Sequence, residues 1–247
     1  MMTRRLVFGR AASAQLVAKT MTPDELRERL FDLQDTAYRE FHLKTCPDAG
    51  QVIGVRVPEQ RKLAKEIIRE DFWQFLDQIQ PEYYEEILIT GIVIASAPMA
   101  LGERLGYAAW FIPQIKNWAI CDGFCASFKP KTEDLPKLWN FILEYECSKR
   151  EFELRFMLVM MLDHFLLPEY LPRIQAVLDR LTSKDYYVEM AAAWLVAEMI
   201  GRFRDVGMEY LSHDQLSIFA HNKAIQKACE SRRVSLADKQ TLRSMKL

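Results

Sequence analysis

The sequence predicts an all-α protein built as an irregular α-solenoid, and three observations carry that prediction. Helical hydrophobic periodicity recurs about a dozen times, in stretches of roughly 10 to 18 residues. The joins are short and marked by Pro, Gly, Ser or Asp, and no stretch alternates apolar with polar residues as a half-buried strand would. So many short amphipathic helices cannot each bury a face alone; they must stack as pairs, each on the next. A compact bundle would use fewer and longer helices. The expected shape has a concave face on which a ligand as long as DNA would lie.

The elements follow from local signals. Thr22-Pro23-Asp24-Glu25 opens a helix with a hydroxyl N-cap, proline at the first helical position and acids in the first turn. Leu26, Leu30, Leu33, Ala37 and Phe41 then recur at spacings of three and four, predicting one helix that ends before Pro47-Asp48-Ala49-Gly50. Gly54-Val55-Arg56-Val57-Pro58-Glu59-Gln60-Arg61 reads as an extended turn into a helix that buries Leu63, Ala64, Ile67 and Ile68. Arg56, Arg61, Lys62 and Lys65 give it a positive rim.

Residues 71–79 predict a short helix, and Pro81 starts another that Pro98 ends. A further helix reaches Phe111 before Pro113 breaks it, and the helix holding Trp118 and Asp122 comes next. After the junction between Pro130 and Pro136, helical patterns cover residues 134–147, 149–166, 169–181, 185–201, 205–212, 214–230 and 235–245. Residues 1–20 hold Arg4, Arg5, Arg10 and Lys19 without an acid and read as an N-terminal extension or arm. Residues 21–247 read as a single domain.

Half the residues are hydrophobic, which suits a globular protein. With 33 basic against 34 acidic residues the net charge is −1, so any nucleic-acid affinity must come from local patches. Five scattered cysteines suit reduced thiols in the cytoplasm. Cys121 and Cys125 share a helix face, but no histidine stands near them, so no metal site is expected. No apolar run is long enough to span a bilayer.

Four features invite a functional reading. Trp118 and Asp122, four residues apart, stack an indole beside a carboxylate: either a packed ring with a rim acid, or a holder for a planar cation. Arg155 enters an apolar helix, so it either pairs with a buried carboxylate or points into a groove. Trp194 follows three alanines, a mark of close helix packing, and is either core or part of a binding face. Residues 221–247 carry a net +5, either a solubilising cap or a phosphate-facing patch.

The segments Gly54 to Arg61, Asn117 to Asp122, Leu154-Arg155-Phe156 and Ala192-Ala193-Trp194, in this order and at these intervals, resemble the DNA alkylation repair family of HEAT-like-repeat glycosylases. The resemblance runs from about residue 24 to the basic tail. It implies an α-solenoid whose concave face cradles duplex DNA, and hydrolytic excision of positively charged N3- or N7-alkylated purines without extrusion of the base. Carried over by position, it implies Asp122 as the catalytic carboxylate, Trp118 and Trp194 as indoles flanking the lesion, and Arg155 as a basic residue near the DNA backbone. Arg56, Arg61, Lys149 and Arg150 are the local cations expected to add DNA affinity. No cofactor or metal is implied; the partner is double-stranded DNA with alkylated bases, and the protein is expected to be a cytoplasmic monomer without membrane contact. One departure stands out: where the family often has a basic residue one turn after the second tryptophan, this chain has Ala197 and Glu198. The alternative is a non-catalytic HEAT-like module that binds DNA or a protein.

Overall fold

A computed structural model describes residues 20–247, so the reading of the N-terminal arm lies outside the described residues apart from Thr20. Fourteen α-helices and three short 3-10 turns make up the regular structure, with no strand among the described residues. They are α1 (Pro23–Asp32), α2 (Thr36–Thr45), α3 (Val57–Arg69), α4 (Phe72–Gln78), α5 (Tyr84–Ser96), α6 (Leu101–Phe111) and α7 (Trp118–Cys125). The second half continues with α8 (Leu135–Leu143), α9 (Glu151–His164), α10 (Leu171–Asp179), α11 (Tyr186–Arg202), α12 (Arg204–Leu211), α13 (Ile218–Glu230) and α14 (Leu236–Ser244). No described helix is long and apolar enough to cross a membrane.

The opening of α1 is capped as the sequence predicts, and α7, α13 and α14 also begin at a side-chain cap. The Thr22 hydroxyl accepts from the Glu25 N–H at 3.1 Å ahead of Pro23, and Asn117, Ser217 and Ser235 cap α7, α13 and α14 in the same manner. The single helix expected over Leu26 to Phe41 is instead two. Asp35 interrupts it, because its backbone N–H donates to the Gly54 carbonyl at 2.9 Å while its side chain caps Tyr38. Leu33 and Phe41 consequently stay exposed, although they match the helical period.

The Gly54 turn that causes this break is held from the other side. Glu85, fully buried at the start of α5, accepts the N–H groups of Ile53, Gly54 and Val55 at 3.0, 2.7 and 3.1 Å. Gly54 has φ +104°, and a Cβ there would lie 2.7 Å from both the Arg39 Cβ and the Asp35 oxygen. Only glycine fits such a position without strain.

Helices α3, α5, α7, α9, α11 and α13 form a row, each packed against the next, while α4, α6, α8, α12 and α14 pack on members of that row. Cross-helix contacts give the row its direction. Glu151, first in α9, accepts the N–H of Tyr187 in the first turn of α11, and Glu189 in the first turn of α11 accepts from the Ser217 hydroxyl that caps α13. At the opposite ends, the last residue of α9, His164, meets the carbonyl of the last residue of α7, Cys125, and Glu198 late in α11 pairs with Arg233 just beyond α13. Starts lie beside starts and ends beside ends, so these row helices run the same way. One continuous core of buried residues, from Met21 to Leu242, joins the helices.

Candidate functional site

Helix α7 is short and divided by burial. Ile120, Cys121, Phe124 and Cys125 are buried, while Trp118, Ala119, Asp122 and Gly123 are only partly covered. Its approach to α5 is close, since a Cβ on Gly123 would lie 2.8 Å from the Leu88 side chain. The Trp118 indole is oriented by its Nε1–H, which donates to the Thr45 carbonyl at the end of α2 at 3.3 Å.

One turn on, Asp122 meets Arg155 of α9. Arg155 Nε donates to one carboxylate oxygen at 2.9 Å and Nη2 to the other at 2.8 Å, a two-pronged guanidinium–carboxylate pair. The Arg155 side chain is 6% exposed and that of Asp122 is 21% exposed, so the pair is buried on one side and open on the other. The third prong, Nη1, donates to the Tyr187 carbonyl at 2.9 Å, and the guanidinium lies 5.9 Å from the Tyr187 ring centre. Burial alone would lower the Arg155 pKa, but the hydrogen bonds and charge of Asp122 outweigh it and hold the group above its ordinary value.

Of the two readings open for Arg155, pairing with a carboxylate is the one adopted. Arg155 thus stands behind the Asp122 carboxylate, with its guanidinium turned to the protein's own acceptors. Its side chain is buried and three of its N–H donors are engaged by Asp122 and the Tyr187 carbonyl, because an unpaired guanidinium inside an apolar helix would cost about 3–5 kcal/mol.

Trp194 is half-buried on α11, seven residues beyond Tyr187 and hence on the same side of the helix two turns further along. The preceding alanines, Ala191 to Ala193, are buried where α11 packs between α9 and α13. Trp118 with Asp122, Arg155, and Trp194 thus occupy three successive row helices, α7, α9 and α11.

The expected surface cations are distributed more widely. Arg56 is exposed, bonds to Asp35 at 2.8 Å through Nη2 and covers the Tyr38 ring at 5.0 Å. Arg61 is exposed on α3, and its Nη1 lies 3.5 Å from the Ser127 hydroxyl just past α7, which brings it near the Asp122 helix. Lys149 and Arg150 are exposed in the turn before α9, where Arg150 pairs with Glu153 at 3.2 Å. Lys149 lines a cavity of about 510 Å³ with residues 180–185, whose lining does not include Asp122.

The sequence reading missed Asp163. It closes the apolar run of α9, and burial first, then the charge of Asp122, raises its pKa to about 6 against the opposing pull of Arg202. A second carboxylate therefore shares the electrostatic neighbourhood of Asp122. Its one sequence signal was an acid at the end of five apolar residues, Leu158 to Leu162.

The family model described as DNA alkylation repair enzyme matches residues 25–228, most of the chain. The protein belongs to that DNA alkylation repair enzyme family. Among curated proteins, no match is found.

Proposed function

We propose that the protein is a monofunctional DNA glycosylase that hydrolytically excises positively charged N3- or N7-alkylated purines from duplex DNA without extruding the base. The observation that carries this reading is the half-open Asp122 carboxylate, one helical turn from the fixed Trp118 indole and held from behind by Arg155.

The chemistry needs few groups. An alkylated purine already carries positive charge and leaves without protonation. The enzyme must stabilise the sugar as it becomes an oxocarbenium ion and position water on it. A carboxylate can do both. Each Asp122 oxygen uses one acceptor site on Arg155 and keeps another for water or the electron-poor sugar. The indoles of Trp118 and Trp194 would flank the cationic base, each contact contributing about 0.5–2 kcal/mol. Arg155 acts as a positioning residue that fixes the Asp122 rotamer. The row α3 to α13 would curve as a HEAT-like solenoid with duplex DNA on its concave side, and Arg56, Arg61, Lys149 and Arg150 would meet phosphates.

The test is release of free base from duplex DNA treated with a methylating agent. Release by the wild type that is lost in Asp122→Asn supports the assignment; unchanged release by the variant overturns it.

One observation favours a second reading. Asp122 is engaged in an internal pair, which lowers its net charge as seen from a ligand. A non-catalytic module of the same fold would bind DNA or a protein and release no base.

A further inference from the structure

Charge is unevenly divided along the chain. The whole carries −1, yet residues 221–247 carry +5, so the remainder is net acidic. That basic segment comprises nearly all of α13, the following loop and α14, and α14 lies beyond the residues matched by the family. It is not a loose tail. Asp238 at the start of α14 receives Nε of Arg204 at 2.9 and 3.0 Å, and Ser235 caps the same helix. His221 on α13 bridges Asp214 at 2.8 Å and the Met245 carbonyl at 2.9 Å, while Asn222 exchanges two hydrogen bonds with Leu247.

These anchors engage Asp238, Asp214 and Glu198, while Glu230 stays exposed and accepts from the Gln226 amide at 3.0 Å. Asp238 is committed to Arg204 and Ser235, Asp214 to His221, and Glu198 to Arg202 and Arg233. Arg232, Arg243 and Lys246 are exposed and Lys227 is half-exposed. Among the described residues, none of these four forms an ion pair. Unpaired cations on a rigidly anchored surface are what a polyanion with regularly spaced charges requires.

Register places this surface at one end of the helix row. The Phe219 and Tyr186 rings lie 6.0 Å apart at the starts of α13 and α11. Successive turns of the two parallel helices then set Lys223 and Lys227 alongside Met190 and Trp194. At the other end of the row, α3 exposes Arg61, Lys62 and Lys65. The middle of the row adds carboxylates, Asp122, Asp163 and Glu198, to the exposed Lys149 and Arg150 before α9.

We infer that α13, the loop after it and α14 form a second DNA-contacting surface, gripping backbone phosphates of the duplex at a distance from Asp122 through Lys227, Arg232, Arg243 and Lys246. This rests on the DNA-repair reading of the same chain. Five steps between row helices, each about 8–10 Å, separate α3 from α13. Along the row this is about 12–15 base pairs at most, at about 3.4 Å per pair, and a curved row brings the basic ends closer. Much shorter DNA reaches the central site but only one end.

Two hairpin duplexes with stems of about 8 and about 20 base pairs, unmodified, are titrated over a range of salt concentrations; the wild type should show a steeper salt dependence on the longer one. The triple variant Arg232→Gln/Arg243→Gln/Lys246→Gln, checked for folding by thermal unfolding, should lose about three from the slope on the long stem, about one per phosphate contact. A slope unchanged from wild type overturns the inference. A second readout needs no variant: chemical acetylation of Lys227 and Lys246 in the wild type should slow when the long stem is bound, and undiminished acetylation also overturns it. Base release from methylated duplex is measured in parallel. Release without a change of slope in the variant sinks this surface alone, whereas the predicted slopes without any release sink the glycosylase reading alone.

Discussion

Arg155 and Asp122 meet through two parallel hydrogen bonds, and the remaining arm of the guanidinium reaches the Tyr187 carbonyl. One arginine therefore ties α7, α9 and α11 together at the level of the proposed chemistry. It also decides where the carboxylate points.

Arg155→Lys should keep the charge but not the fork. A lysine ammonium can bond only one prong at a time and cannot also hold the Tyr187 carbonyl in the same geometry. Base release should drop about 10-fold or more, while thermal unfolding shows a smaller loss than in Arg155→Ala, for which about 1.5–3 kcal/mol is expected because Asp122 can partly rehydrate. Equal activity in wild type and the lysine variant would contradict the positioning role.

Asp122→Asn should lower the rate of release by about two to three orders of magnitude, the usual loss when a charge-stabilising group is removed from a transition state. Single-turnover measurements at saturating enzyme separate this from weakened binding. A change in affinity alone, with the single-turnover rate preserved, would move Asp122 from catalysis to recognition.

Asp163 predicts a pH effect on stability. Its pKa is raised to about 6 in the folded protein, from an unperturbed value of 3.8. The folded state thus binds the proton more tightly, and its contribution to stability is present at low pH and is lost as pH rises through about 6. Asp163→Asn should remove that loss. In thermal unfolding from about pH 4.5 to 8, the melting temperature of the variant relative to wild type should rise with pH. A constant difference across the range would rule out Asp163 as the titrating group.

Gly54→Ala should destabilise by about 2–3 kcal/mol, since the left-handed backbone and the contact with Arg39 both resist a methyl group. Denaturant unfolding measures the loss. A neutral result would mean that the Gly54 turn can relax away from α2 without consequence.

Much of the fold was legible in the residues themselves, and the misses share one cause. Thr22 with Pro23 marked the start of α1 and Ser235 that of α14, because those signals act within one turn of the chain, whereas the pattern read from residue 214 becomes α13 only at Ile218, after the Ser217 cap. The break between α1 and α2 was hidden because Asp35 is drawn out of the helix by Gly54, nineteen residues away. Likewise, the sequence left Arg155 with two possible fates, and the choice depended on Asp122 thirty-three residues earlier. Asp163 carried no motif; only the folded approach of α7 to α9 sets its charge beside that of Asp122. Periodicity reports a helix, not what the next helix will place against it.

The parallel course of the row helices has a further electrostatic consequence. Peptide dipoles aligned along α9, α11 and α13 add side by side, so one edge of the row is intrinsically positive and the opposite edge intrinsically negative, whatever side chains stand there. Glu151 and Glu189 sit at the positive edge, where they offset it and cap their neighbours. Arg202 and Arg233 sit at the negative edge, beside Glu198. The row is therefore polarised by its topology, and the side chains at each edge largely moderate a field that the backbone has already set.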